Sequence, residues 1–505
     1  MKHTKLWLAS ASVVALVVGA VACGDDSGSQ ANANPPSSDG GVNPADADGT
    51  NAYSIGRFLK ADAIPLGVTP GGRVVYMTPD HSIEAIPIMG GEPVRIATAV
   101  ELFTNFVPYS FESGVFAWWT KIGATGGGTL SVWTETDGVK VVSTTSSFGQ
   151  DDPSKRIFAV SSDGKRIAFS TSATTQSTNL QIADIASATP ATKGMLPDED
   201  VVLVDALCPV DMRFVGKRLI ASFCASGGAR AYVVPEGSTT AVRLDDKDEP
   251  APLQKITWSA DDSGNKVFYY GGGGRFVDLT DLGAITRAKL DDAAEGFISR
   301  DGSAVVYRAD KDVKRWSTPK PGVPNADGTV LASNILSFLA RTNDRTRVLA
   351  YENTDERTID TTKRAPTKLI SKDPTSLLLG FTGTGNYAVY RTGPADNVTV
   401  SARLSVGGTA VHLVEGVSAQ LPRTVLAPEG DVLTVLVNPD PPGPVAINET
   451  SLLNTTYELR YVDLAAGKSV SLGDGMTLAT VFGGKKLVYV RKKTPGAGMY
   501  VYDPQ

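Results

Sequence analysis

The chain has 505 residues, a formal charge of −6 and three cysteines. An acidic chain with no basic run lacks the clustered Lys and Arg that nucleic-acid phosphates demand, which excludes a nucleic-acid partner. Its 51 glycines and 30 prolines, set among many Thr, Val and Ser, argue against a helical fold and for short strands joined by numerous turns.

The first element is a leader over residues 1–22. Lys2 and Lys5 precede an apolar stretch from Leu6 to Val18, and Gly19-Ala20-Val21-Ala22 supplies the small residues of a signal-peptidase site. The apolar run approaches the spanning limit of about 17 residues, so an uncleaved membrane helix is the alternative. Cys23, Cys208 and Cys224 make an odd count, and an odd cysteine in an exported chain is a thiol to be explained. Ala20-Val21-Ala22-Cys23 resembles the bacterial lipobox, with Ala20 where that family prefers Leu. The resemblance implies a diacylglyceryl thioether on Cys23 and a membrane anchor. Gly24, in place of an inner-membrane retention Asp, implies the outer membrane of a bacterial envelope. The same Ala20-Val21-Ala22 satisfies ordinary secretion, which leaves a soluble exported chain as the rival.

Residues 23–52 read as lipidated cysteine and tether. Gly24 to Asn51 has almost nothing to bury and is expected to be disordered, with a reach on the order of 30 Å.

From residue 53 to 505 one unit recurs, a tight turn followed by an apolar strand: SDGKRIAFS at Ser162, RDGSAVVYR at Arg300, NDRTRVLAY at Asn343. Ten instances are anchored on Gly72, Gly114, Gly164, Gly216, Gly264, Gly302, Arg345, Gly385, Gly430 and Gly484, spaced 38 to 54 residues apart. That period suits four-stranded propeller blades. Asp-Gly or Ser-Gly supplies the positive-φ hairpin turn and the β-branched and aromatic residues after it make a buried strand. In the third unit strands are predicted at Ile157–Val160, Arg166–Ser170 and Asn179–Asp184, with a fourth near Thr192–Leu196. The last unit has no room for its fourth strand, so the stretch Tyr53 to Phe58 is expected to close the ring on it. The fold class is therefore all-β, a propeller of about ten units. Fewer true blades, or two propellers with a break near 245–252 or 319–328, remain open.

SSDGKRIAFSTS followed by NLQIADI resembles the TolB-type (PD40) propeller repeat, with Ser162 where the family has Pro. The resemblance implies fold over most of Ala61 to Gln505. A role in docking to envelope proteins is implied by analogy alone.

Catalytic motifs are missing from this sequence: no G-x-S-x-G, Walker A or H-E-x-x-H occurs. After the leader only His81 and His412 remain, each read as lying on a strand, so no catalytic residue, metal site or cofactor is assigned. Cys208 and Cys224 enclose fifteen residues and are expected to form a disulfide between neighbouring strands. Trp118, Trp119 and Trp133 read mainly as core, because successive strand residues face opposite sides. Gly271 to Gly274 reads as a turn, and the Pro-rich stretch 438–448 as an excursion of the ninth unit. The reading that results is a non-enzymatic, lipid-anchored envelope propeller that binds a protein or a glycan. Its rival is a hydrolase or lyase with a carboxylate-based site in the channel.

Overall fold

The computed structural model describes residues 56–504, except 101–108, 121–126, 148–157, 175–176, 188, 191–194, 198–203, 226–227, 246–255, 272, 291–292, 319–327, 395–396, 418–422, 441–454 and 493–496. The signal segment, Cys23 and the tether lie outside these residues.

Each recurring turn joins the first two strands of an antiparallel blade. Eight blades run in chain order over residues 64–97, 109–147, 158–190, 204–243, 257–290, 293–332, 335–371 and 377–417. Two more share one long strand, Lys468–Gly483. Its first part pairs with Thr456–Asp463 in blade 9 and its second with Lys486–Arg491 in blade 10. Blade 10 is completed from the other end of the chain, since Arg57–Lys60 pairs antiparallel with Gly498–Tyr502. The expected closure is thus present, and it starts at Arg57 among the described residues.

All ten anchor residues have positive φ, from 55° at Gly216 to 81° at Gly72. Side chains reinforce the turn: Ser161 Oγ donates to Asp163 at 2.5 Å, and Asp163 accepts the Lys165 N–H at 3.1 Å. Ser299, Asp301 and Ser303 repeat this at 2.6 and 3.0 Å, and so do Thr342, Asp344 and Thr346 at 2.5 and 3.0 Å. A short Asp or Ser side chain that bonds its own backbone two residues on stabilises a turn over an extended strand. The turns also interlock. A Cβ on Gly216 would stand 2.6 Å from the Ser263 carbonyl oxygen, and one on Gly264 would stand 2.4 Å from that of Val215, so blades 4 and 5 approach through two glycines.

Apolar cores lie between blades. Separate clusters join blades 2 and 3, 3 and 4, 4 and 5, 5 and 6, 6 and 7, 7 and 8, 8 and 9, and 9 and 10. One further cluster joins blade 1 both to Phe116, Trp118 and Trp133 of blade 2 and to Val488, Val490 and Met499 of blade 10. Every blade is therefore flanked on both sides, which makes the ring closed. Both stretches singled out as breaks are bridged by such clusters: Ile220 and Leu244 pack with Ile256 and Val267, and Val306 and Leu331 pack with Ile335 and Val348. Trp118 faces blade 1 whereas Trp119 joins the cluster with blade 3, as strand alternation requires.

Two local readings need correction. The fourth strand of blade 3 is Thr189–Pro190, ahead of the expected position, and Pro190 has no N–H with which to continue the ladder. Met195 instead donates its N–H to the Leu180 carbonyl at 2.9 Å. His81 is in the turn after the second strand of blade 1, with φ 60°, a left-handed backbone that a strand cannot contain. His412 does lie on a strand, Val411–Val417.

Candidate functional site

Four blades converge on the inner side of the ring. Their first strands, Val204–Val215, Thr257–Ala260, Ala293–Ile298 and Ile335–Arg341, carry Arg213, Trp258 with Ser259, Phe297, and Arg341. Bulges interrupt the blade 7 strand between Ile335 and Ser337 and between Phe338 and Ala340, and bulges re-aim the side chains that follow them. Arg341 Nη1 donates to Ser259 Oγ at 3.4 Å, from blade 7 to blade 5. Arg345, in the blade 7 turn, donates to the carbonyl of Ala260 in blade 5 and, at 2.9 Å, to that of Ile298 in blade 6. Groups from blades that are not neighbours can meet only on the inner wall.

Arg345 stands where the other nine units have glycine, with φ 59°. A left-handed conformation costs a non-glycine residue roughly 1–2 kcal/mol, and its side chain makes use of the position by tying three blades together.

The centre is rich in cations laid on aromatic rings. The Arg213 guanidinium lies 5.7 Å from the Trp258 ring centroid and that of Arg341 lies 5.2 Å from Phe297. Each such contact contributes roughly 0.5–1 kcal/mol at a solvent-open position. Nearby carboxylates are already engaged. Asp211 pairs with Arg213 Nε at 3.1 Å, and Glu295 accepts from Arg308 Nε at 2.6 Å and from the Phe338 N–H at 2.9 Å. Among the described residues no carboxylate pairs with Arg341. Its side chain is open to water, yet lost hydration, with the charges of Arg345 and Arg213, pulls its guanidinium down to about 10. Burial also pushes the neighbouring Tyr270 phenol up, and Glu295 adds to the effect. Trp258 Nε1, a donor only, is buried without a hydrogen-bond partner. Among the described residues the centre therefore presents donors and positive charge.

The residues singled out in the sequence are elsewhere. Cys208 is on the first strand of blade 4 and Cys224 on the second, Arg218–Ala225. Pro209 stands opposite Phe223, and the register shifts between that pair and Val204 opposite Ala225, the interval that contains both cysteines. Their side chains lie outside the described residues. His412 Nδ1 is 3.1 Å from Ser401 Oγ and 3.7 Å from Glu415 Oε1, so both neighbours address one ring nitrogen. A catalytic triad needs the nucleophile and the acid on opposite nitrogens. Among the described residues no group of three or more His, Cys, Asp or Glu is placed to hold a metal ion. Sequence reasoning missed Arg213, Trp258 and Arg341. Only Arg345 carried a signal, as the single non-glycine among the ten anchors.

No protein-family model matches this chain, and no curated protein does. Solved structures resemble it at low identity. A prolyl endopeptidase matches at 13% identity over 70% of this chain and 54% of its own, with a TM-score of 0.36. TolB from Acinetobacter baumannii matches at 14% over 73% of this chain and 66% of its own, with a TM-score of 0.25. The β-propeller domain of Cps50 (Swd1) from Myceliophteria thermophila matches at 12% over 59% of this chain and 96% of its own, with a TM-score of 0.30. The chain thus spans about half the length of the prolyl endopeptidase. What these proteins do is not carried over.

Proposed function

We propose that this chain is a lipid-anchored propeller of the bacterial envelope, with the outer membrane as its favoured site, and that it acts as a non-enzymatic scaffold for an envelope protein or a glycan. The supporting observation is the inner wall of blades 4 to 7, where Arg213, Arg341 and Arg345 gather beside Trp258 and Phe297. Such a wall recognises a ligand by charge, since Phe297 is buried beneath the Arg341 guanidinium. It speaks against a glycosidase-type carboxylate pair at this wall, because Asp211 and Glu295 are each held by an arginine. Anchoring rests on the lipobox-like Ala20-Val21-Ala22-Cys23 and the polar stretch after it. In an exporting cell Cys208 and Cys224 would be joined in a disulfide. A non-reducing peptide map that found both thiols free would remove that element.

The test is affinity purification of the full-length protein from its native envelope in mild detergent, beside Cys23→Ser, with mass spectrometry of what is retained. The reading predicts a stoichiometric partner with the wild type and its loss with Cys23→Ser. Failure to retain any protein or glycan in either preparation would contradict it.

A further inference from the structure

We infer that the inner wall at Arg341 is an oxyanion-binding site, selective for a carboxylate or phosphate group carried by the ligand. This deepens the binding reading above and rests on it for biological meaning, although the site itself can be tested on purified protein.

Three independent features carry the inference. The first is charge placement. Arg341 reaches from blade 7 across to blade 5, where its one hydrogen bond among the described residues is the long one to Ser259 Oγ at 3.4 Å. Its guanidinium carries five N–H donors, so most of its donor capacity is directed at solvent. The second is the sign of its surroundings: the charges that act on it most are those of Arg345 and Arg213. Like charges repel one another, Asp211 pairs with Arg213 and not with Arg341, and an anion bound at Arg341 converts that repulsion into attraction. The third is the unmet Trp258 Nε1 beneath the Arg213 guanidinium, a buried donor without an acceptor. Arg308 is matched to Glu295 and Arg243 to Asp245 at 2.5 Å, whereas Arg341 has no acid partner among the described residues.

Arginine in a fork geometry favours planar or tetrahedral oxyanions over chloride, because two parallel N–H groups meet two oxygens. The long bond to Ser259 is weak enough to be exchanged for a ligand oxygen without loss. The aromatic faces of Phe297 and Trp258 fix the guanidinium planes, so the donors are ordered before the anion arrives.

The experiment is calorimetric titration and thermal unfolding of the full-length protein in detergent, with inorganic phosphate, malonate and chloride as separate probes at matched ionic strength. Phosphate also stabilises proteins by exclusion from their surface, so the readout is the difference between wild type and Arg341→Gln. Saturable binding of phosphate, malonate or both is expected, together with a binding constant roughly tenfold to a hundredfold weaker in Arg341→Gln and partly restored in Arg341→Lys. Arg341 is exposed to solvent, so Arg341→Gln is expected to fold, and a cooperative unfolding transition in chloride checks that. The arms separate a phosphate-bearing from a carboxylate-bearing ligand. Identical anion responses in wild type and Arg341→Gln, or no saturable binding of either oxyanion, would overturn the site. Partner capture that persists alongside such a result would leave the scaffold reading standing without it.

Discussion

Glu356 is a carboxylate in a place that disfavours its charge. It is 1% exposed on the third strand of blade 7, accepts from Ser376 Oγ at 2.8 Å, and has its other oxygen unpartnered. Burial raises its pKa, against the opposing effects of the Ser376 bond and of a backbone hydrogen bond from Leu378. With the folded value above the unfolded one, the protonated form favours the fold. The stabilising contribution is complete below the unfolded value and is lost as the pH rises through the folded one. Glu356→Gln keeps the shape without the charge, so it should match the wild type in denaturation midpoint at about pH 4 and exceed it at pH 7. A variant less stable than wild type at pH 7 would show that Glu356 has a compensating partner. No sequence signal marks Glu356, since burial of one acid among 54 is a property of packing. Arg345 is the opposite case: it occupies a column of glycines, and the reason becomes visible only when its side chain is seen to reach the carbonyls of Ala260 and Ile298.

At the scale of the element, the turn was the legible object. Ser161, Asp163 and Gly164 each have one local task, to donate, to accept and to adopt positive φ, so the sequence spells out the geometry. The outer strands were less legible. Thr189–Pro190 is two residues long, and nothing in its composition distinguishes it from the small polar residues around it. The interlocking of turns is testable by a pair of substitutions. Gly264 and Gly237 have φ of 70° and 71°, yet a Cβ on Gly264 meets the Val215 carbonyl at 2.4 Å while one on Gly237 meets nothing within 4 Å. Gly237→Ala should cost about 1 kcal/mol by chemical denaturation, from the backbone alone, and Gly264→Ala about 3 kcal/mol, from backbone and clash together. Equal costs would mean that the turns of blades 4 and 5 do not bear on one another.

At the scale of the whole molecule, the ring is a consequence of apolar faces that no blade can bury alone. The repeat period and the incomplete last unit made the number of units and the closing strand readable, because both follow from local pattern and from an edge that must be covered. The cationic centre was not readable. Arg213 and Arg341 are 128 positions apart in the chain, and only the packing of successive blades brings blades 4, 5 and 7 to a common wall. The central claim is that this wall meets the ligand in the envelope, and photo-cross-linking in intact cells tests it most directly. Leu336 is 47% exposed on the strand that carries Arg341, and Val139 is 45% exposed on the fourth strand of blade 2. With a benzophenone side chain placed at one position or the other, the account predicts a discrete adduct from position 336 and none from 139. An adduct from 139 with none from 336 would contradict it.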